Sequence, residues 1–277
     1  GMRFDTVFID EAAQALEPAT WIPILKANRV IFAGDHQQLP PTVKSFKASG
    51  LRNTLFEKAI KRNAADVMLN EQYRMHEQIM NFSSMEFYEG NLMANPKVGQ
   101  WTVFPGDLPL EFVDTAGTGF EETLDLDSRS TFNKEEARVL MSHMEEYLLM
   151  LNDDVKSNLS IGIISPYRAQ VECLKQVLSD FDLTDDIKQR IKINTVDSFQ
   201  GQERDVVYIS LVRSNDKGEI GFLSDKRRMN VAMTRAKKKL IIIGDSATIC
   251  RNEFYANLFD YVNETGAYRS AFELLYN

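Results

Sequence analysis

The sequence predicts an α/β fold in which helices flank a mostly parallel sheet. Two observations carry the prediction. Short apolar runs alternate with segments of helical periodicity along the chain, the pattern of strands linked by helical crossovers. Several runs, Ile161-Gly162-Ile163-Ile164 and Leu240-Ile241-Ile242-Ile243 among them, are apolar without interruption, as suits strands buried on both faces.

Taken in order, strands are expected at residues 6–10, 29–33, 66–69, 110–114, 160–165, 192–195, 206–212 and 239–244. Helices are expected at residues 18–26, 51–63, 75–82, 134–151, 168–180, 225–235 and 246–257, with a further one over 270–276. Residues 106–129, rich in Gly, Asp and Thr around one strand, read as an irregular surface excursion. A boundary is expected near residues 64–66. The expected domains are residues 1–64, whose two strands are too few for a full sheet, and residues 65–277, with about six strands, the usual size of a sheet.

A chain of 277 residues that is 44% hydrophobic and 26% charged has the make-up of an ordinary globular protein. No apolar run reaches the ~18 residues of a membrane span, so no membrane partner is expected. The two cysteines, Cys173 and Cys250, lack metal-ligand spacing, which excludes a disulfide framework and a zinc site and fits a reducing, cytoplasmic compartment. The start, Gly1-Met2-Arg3, has no signal-peptide layout, and Gly1 reads as a residue left by tag removal. A net charge of −8 argues against binding nucleic acid through the whole surface, while leaving room for a local basic groove. Lys226, Arg227, Arg228, Arg235, Lys237, Lys238 and Lys239 form one such cluster, which reads either as that groove or as a solvated helix face.

Val7-Phe8-Ile9-Asp10-Glu11-Ala12-Ala13-Gln14 is an apolar strand ending in two acids. An acid there suits Mg2+ carried on nucleotide phosphates, and a second beside it can polarise an attacking water. The same residues also fit a strand-to-helix turn capped by Asp10. A second strand ends in Gly34-Asp35-His36-Gln37-Gln38-Leu39 and is stopped by Pro40 and Pro41. Ligands in open α/β sheets bind at the carboxyl ends of strands. Two strands with polar ends therefore suggest one site, where Gln38 can donate to a phosphate and accept from a water.

These segments, 10–14 and 34–41, resemble motifs II and III of superfamily 1 DNA/RNA helicases, and most closely the Upf-type branch, superfamily 1B. Asn70-Glu71-Gln72-Tyr73-Arg74-Met75-His76 resembles motif IV. Residues 195–203, from Thr195 to Glu203, resemble motif V, and Asn230-Val231-Ala232-Met233-Thr234-Arg235-Ala236 resembles motif VI. Five motifs in the family's order span residues 7 to 236.

The resemblance implies a RecA-like P-loop NTPase fold, with a complete second RecA-like domain and a remnant of the first. It implies ATP and Mg2+ as cofactors. Asp10 would hold the metal, directly or through water; Glu11 would be the general base and Gln38 would meet the γ-phosphate. Tyr73 matches the aromatic that stacks on adenine, and Glu203 the acid on the ribose or γ-phosphate side, with Gly201 giving the tight turn before it. Arg74 and Arg235 match arginines that stabilise the transferring phosphoryl group, where a planar, permanently charged fork is needed. Bland readings stand beside these: an ion-pair residue for Arg74, a core aromatic for Tyr73, a surface base for Arg235. His36 and His76 are expected to give supporting hydrogen bonds, and His143 to be structural or exposed.

Single-stranded DNA or RNA is the implied partner. Ser165, Tyr167, Arg168, Thr195 and Ser198 match backbone contacts, and Pro40 and Pro41 would lie near the strand where it crosses the domains. Such contacts read no sequence. Pro166 also fits the first position of a helix, which is compatible with phosphate binding there.

No Gly-x-x-x-x-Gly-Lys-Ser/Thr occurs in the chain, although a P-loop ATPase needs one. The expectation is a C-terminal part that lacks its N-terminal RecA-like half, through expression as a fragment or a late gene start. The parent would couple ATP hydrolysis to movement on a single strand, and this chain alone would be inactive. The alternative is a non-catalytic nucleic-acid- or protein-binding module with a helicase fold. Val7, Ile9, Ile31 and Phe32 would lose sheet neighbours, which favours self-association through the remnant strands.

Overall fold

The computed structural model describes residues 1–43, 45–62, 66–181 and 183–275. It has two compact units, Gly1–Leu69 and Asn70–Asn277. Residues 64 and 65 of the expected boundary, and the expected helix ends at 63 and 276, lie outside the described residues.

In the first unit β1 (Phe4–Ile9) runs parallel to β2 (Ala27–Phe32), in register from Phe4 opposite Ala27 to Ile9 opposite Phe32. Between them, α1 (Glu17–Ile24) carries Pro18 in its first turn, where the missing N–H has no helical partner to lose. A capping box opens α2 (Leu55–Arg62): the Glu57 N–H donates to Thr54 Oγ1 and the Thr54 N–H to Glu57 Oε2, both at 3.2 Å. Lys58 pairs with Glu17 and fastens α2 to α1. The strand expected at 66–69 does not form. Its apolar run finds no strand to pair with among the described residues, and Val67 and Leu69 are 88% and 87% exposed.

The second unit opens with β3 (Glu71–Gln72), α3 (Glu77–Phe87) and β4 (Met93–Ala94), the two short strands pairing with each other. There follow β5 (Leu110–Asp114), β6 (Thr123–Asp125), β7 (Ser130–Phe132), α4 (Lys134–Met150), α5 (Asp153–Asn158) and β8 (Ile161–Ser165). Next come α6 (Arg168–Asp180), α7 (Asp185–Arg190), β9 (Ile191–Thr195), α8 (Val196–Phe199), β10 (Arg204–Ser210) and α9 (Lys226–Met233). The unit ends with β11 (Ala236–Gly244), α10 (Ser246–Ile249), α11 (Glu253–Glu264), β12 (Tyr268–Ser270) and α12 (Phe272–Leu275). The helix expected at 246–257 is thus two. Asn252 breaks it by accepting the Phe254 N–H at 3.1 Å, a new N-cap. The excursion at 106–129 holds the first arm of the β6–β7 hairpin as well as β5.

Among the described residues these strands form a six-stranded sheet ordered β12-β5-β11-β10-β8-β9, parallel throughout. It is the expected α/β, RecA-like arrangement, except that β12, and not residues 66–69, supplies one of its six strands. Strand side chains alternate between faces. Ile161, Ile163, Val206, Tyr208, Ile241 and Ile243 share one core with Leu140, Met144, Val171 and Leu174 of α4 and α6. On the opposite side Phe112 meets Phe259 of α11 at 5.6 Å between ring centres, and Phe254 of α11 meets Phe82 of α3 at 5.4 Å. Each such buried side chain contributes roughly 1.5–3 kcal/mol. Among the described residues no helix is long and apolar enough to cross a membrane.

The parallel register gathers the carboxyl ends of β8, β9, β10 and β11 on one edge of the sheet and their amino ends on the other. This division organises the candidate residues of the second unit.

Candidate functional site

In the first unit the register of Ile9 with Phe32 carries Asp10 alongside Ala33. The Ala33 N–H donates to Ile9 O, and the Ala12 N–H to Ala33 O, each at 2.9 Å. The loops after the two strands are thereby stitched together. Gly34 allows this closeness: a Cβ there would lie 3.0 Å from the backbone nitrogens of both Ala12 and Ala13. Glu11 adopts the left-handed conformation (φ 49°, ψ 38°), which a non-glycine residue holds at a cost of about 1–3 kcal/mol, an outlier of the kind found at functional sites. Asp10 Oδ1 accepts the Glu11 N–H at 2.9 Å, and Glu11 Oε2 accepts from Gln14 Nε2 at 2.6 Å. Both acids are exposed. Asp35 shapes the second loop. It accepts the Gln37 N–H and the Gln38 amide, each at 2.9 Å, and so fixes where Gln38 points. Pro40 is half-buried and Pro41 buried.

In the second unit motifs IV, V and VI meet at the amino ends of β10 and β11. The Gln72 side chain builds the loop, accepting the N–H groups of Arg74 and Met75 at 2.7 Å each and donating to Met75 O at 2.8 Å. Arg74 Nε then donates to Glu203 Oε2 at 2.6 Å, and its Nη1 to Thr234 O at 3.2 Å. Lys237 approaches the other Glu203 oxygen at 3.4 Å. Burial would raise the Glu203 carboxyl, but Arg74 and Lys237 outweigh it and hold it below the usual range. Arg235 is 3% exposed, so it is not the surface base of the bland reading. Its Nε donates to Val231 O at 2.9 Å, Nη1 to Gln202 O at 3.3 Å and Nη2 to Thr234 Oγ1 at 3.1 Å. Tyr73 is 62% exposed, its hydroxyl donating to Glu71 at 3.0 Å. It is therefore no core aromatic, and its ring is open to stacking. Gly201 sits at φ +75° with nothing near a would-be Cβ, so backbone conformation, not space, requires glycine there.

His76 caps α3 by accepting the Gln78 N–H on Nδ1 at 3.0 Å, and burial lowers its pKa. His143 is buried, placed 2.9 Å from Glu111 and 3.1 Å from Tyr208.

The second unit's residues expected on nucleic acid lie on the carboxyl edge of its sheet, and they divide in two. Arg168 and Ser198 are exposed and Thr195 is half-buried, its hydroxyl 3.2 Å from that of Ser198. Ser165 and Tyr167 face inward instead. Ser165 is 0% exposed and accepts the Tyr167 N–H at 3.3 Å; Tyr167 is 3% exposed. Neither presents its hydroxyl to a strand in this arrangement. The basic cluster is also dispersed. Lys239 is buried against Asp107, while Lys237, Lys238 and Arg228 pair with Glu203, Asp205 and Asp197.

A family profile described as AAA domain matches residues 51–247, and a second profile of the same description matches residues 1–46. The DNA-binding protein SMUBP-2 of Mesocricetus auratus is 41% identical over 286 residues, which covers 99% of this chain and 28% of that protein. The chain belongs to the AAA-domain family of superfamily 1, Upf-type helicases. Two further relatives of this helicase-family chain come from Saccharomyces cerevisiae. The DNA polymerase alpha-associated DNA helicase A is 38% identical over 296 residues, covering 96% of this chain and 42% of the relative. The ATP-dependent helicase NAM7 is 37% identical over 275 residues, covering 95% and 28%. The chain thus spans between 28% and 42% of the length of these relatives.

The helicase-family motifs rest on residues that sequence reasoning did not single out. Asp35 and Gln72 stood inside quoted motifs, but nothing marked them as the groups that aim Gln38 and Arg74. Lys237 stood in the basic run without a sign of its tie to Glu203. Glu122, which binds Arg213 through two oxygens (below), carried no signal at all, since its partner lies 91 residues away.

Proposed function

We propose that this chain is the second RecA-like domain, residues 65–277, together with part of the first, residues 1–64, of an ATP-driven motor that moves on single-stranded DNA or RNA. The observation that carries the reading is the joining of three motifs in one cluster: Arg74 on Glu203 and Thr234 O, and Arg235 on Gln202 O. A structural ion pair alone gives no reason for two arginines and an acid from three separate segments to meet beside an exposed aromatic. On this reading Tyr73 stacks on the base, Glu203 meets the sugar side and Arg74 meets phosphate. Arg235 would exchange the neutral carbonyls of Val231 and Gln202 for phosphate oxygens, an exchange favoured because charge-assisted bonds are the stronger ones.

Asp10 and Glu11 fit a magnesium nucleotide as exposed carboxylates at a strand end. Mg2+ takes one or two carboxylates and completes its shell with phosphate and water. When bound, the ion neutralises charge between the phosphates. Glu11 orients and deprotonates the water, and Gln38, held by Asp35, positions it. Without a Gly-x-x-x-x-Gly-Lys segment the chain alone is expected neither to hold the triphosphate tightly nor to turn it over. Arg168, Thr195 and Ser198 bind the strand's backbone.

The test is made in the full-length protein. Glu11→Gln and Arg235→Ala are each expected to lower strand-stimulated ATP hydrolysis by at least ~100-fold, the scale of a lost base or electrostatic group. Turnover near the parent rate in both variants overturns these roles.

A further inference from the structure

We propose that Tyr167 is a positioning residue: its buried hydroxyl ties the strand-binding edge at 165–168 to the turn that anchors α9, the helix leading into Arg235. The inference rests on the function proposed above and reassigns a residue whose sequence context suggested direct contact with nucleic acid.

The tie is a contiguous set of bonds within the second unit. The Tyr167 hydroxyl donates to Ile220 O at 3.1 Å and accepts the Phe222 N–H at 3.2 Å and Arg213 Nη1 at 3.3 Å. Arg213 is held in turn by Glu122: its Nε donates to Oε2 and its Nη2 lies against Oε1, both at 2.8 Å. Glu122 Oε2 also accepts the Ser214 N–H at 2.8 Å and the Asn215 side chain at 3.0 Å. A planar guanidinium on two carboxylate oxygens has little freedom to move. Gly221 completes the fit. It lies at φ +52°, and a Cβ there would fall 2.2 Å from Arg213 Nη1 and 2.7 Å from the Tyr167 hydroxyl. The clamp closes only around a residue with no side chain.

What it clamps is the root of α9. The turn Gly221–Ser224 runs into Asp225 and then directly into Lys226–Met233. The buried Tyr255 hydroxyl holds the same turn through Leu223 O at 3.0 Å, and Asp197 of motif V holds Arg228 at 2.8 Å. Tyr167 is the fastening that begins at the strand-binding edge, one residue before the exposed Arg168. A shift of that segment on binding phosphate would pull on the turn, and thereby on α9, through the hydroxyl.

The experiment uses this chain with an oligothymidylate of about 12 nucleotides. Binding is followed by fluorescence anisotropy, and backbone hydrogen exchange is followed over residues 226–233. Strand binding is expected to slow exchange in that segment of the parent chain. Tyr167→Phe keeps the ring and removes only the hydroxyl. It is expected to bind within about twofold of the parent, since Arg168 and Ser198 make the contact, while the change in exchange at 226–233 falls by half or more. Gly221→Ala, which forces the clamp open from the other side, should reproduce the uncoupling. Full exchange response in Tyr167→Phe overturns the proposal, as does a parent chain that binds the strand with no response in α9. Affinity lost in Tyr167→Phe but kept in Gly221→Ala restores the direct contact instead. A parent chain that binds no strand sinks the nucleic-acid reading, and this inference falls with it.

Discussion

The Ser210 hydroxyl donates to Oε1 of Glu136 at 2.5 Å in a site where both residues have 0% exposure. The same carboxyl accepts the Val212 N–H on both oxygens, at 3.0 and 3.1 Å, and Val212 is held at φ +74°, a conformation a β-branched residue scarcely adopts unaided. Glu136 on α4 thus pins the end of β10 as the chain turns toward Arg213. Truncation to Glu136→Ala leaves a buried hydroxyl and a buried N–H without their acceptor and opens a cavity. Loss of stability by about 2–5 kcal/mol is expected in urea denaturation. A loss under 1 kcal/mol would show that Val212 needs no such restraint.

Two buried acids should give the stability profile slopes of opposite sign. Burial pushes the Glu136 carboxyl up to about 8, against the bonds from Ser210 and Val212. A raised folded value means that its contribution is full below the ordinary carboxylate value of 4.5 and is lost as pH rises toward about 8. Burial also acts to raise Glu111, but the bond from His143 and the charges of Lys239 and Arg269 outweigh it and bring Glu111 to about 2. Its contribution is full above 4.5 and is lost as pH falls from there to about 2. Glu111→Gln should flatten the acid limb of a stability curve, and Glu136→Gln the limb between pH 4.5 and 8. Unchanged limbs in both variants contradict these assignments.

Lys239 shows what became of the basic run. Only 2% of its side chain is exposed, and Nζ donates to Asp107 at 2.9 Å and to Leu108 O at 2.7 Å while lying 4.9 Å from the centre of the Tyr147 ring. Tyr147 gives its own hydroxyl to the other Asp107 oxygen at 2.7 Å. Removing Asp107 leaves the buried Lys239 ammonium with only the longer 3.5 Å contact to Glu111 Oε2 as its carboxylate partner, so Asp107→Ala should cost roughly 3–5 kcal/mol. Lys239→Met combined with Asp107→Leu should lose less than Asp107→Ala alone. A double variant less stable than the single one would mean that the ion pair itself, rather than the avoidance of an unpaired charge, supplies the stability.

The sheet and the ordered motifs were legible because both are local properties of the chain. An uninterrupted run such as Leu240-Ile241-Ile242-Ile243 can only be buried, and a motif is a string of neighbours. What misled was non-local. Val67-Met68-Leu69 is as apolar as a strand but pairs with no strand among the described residues. Tyr268 and Arg269 fell in no expected element and Ser270 in the helix expected over 270–276, yet all three pair with β5 while Glu146 takes Arg269 through two bonds of 3.0 Å. The basic cluster read as one patch because its acids, Asp107, Asp197, Glu203 and Asp205, come from three other segments. Ser165 and Tyr167 matched a motif by type, while the Tyr167 hydroxyl is held inward by Arg213, itself fixed by Glu122, two residues that no spacing rule connects to it.

The first unit carries an exposed apolar pair. Phe8 and Ile31 are opposite each other in the β1–β2 register and are 72% and 41% exposed. Uncovered apolar strands invite pairing with a second copy. Sedimentation of the chain at rising concentration is expected to show reversible self-association, abolished in Phe8→Lys with Ile31→Lys. A parent chain that sediments as a monomer throughout removes this expectation.

Gly34 offers the sharpest test of how the two loops of the first unit depend on each other. Its backbone carries no positive φ, so alanine is compatible with its conformation; what forbids a side chain is the approach of Ala12 and Ala13 at 3.0 Å. Those neighbours are backbone and cannot rotate away, so Gly34→Ala must part the loop of Asp10 and Glu11 from the loop of Gln38. The cost to folding should be about 1–3 kcal/mol. Displacement of a catalytic group by a fraction of an ångström is expected to reduce turnover in the full-length protein by roughly ten- to a hundredfold. Gly50→Ala is the control, since nothing lies within 4 Å of a Cβ there and the backbone is again unstrained. If Gly34→Ala hydrolyses ATP as fast as Gly50→Ala, the two loops need not be held together for the chemistry, and the pairing of Glu11 with Gln38 around one water loses its geometric support.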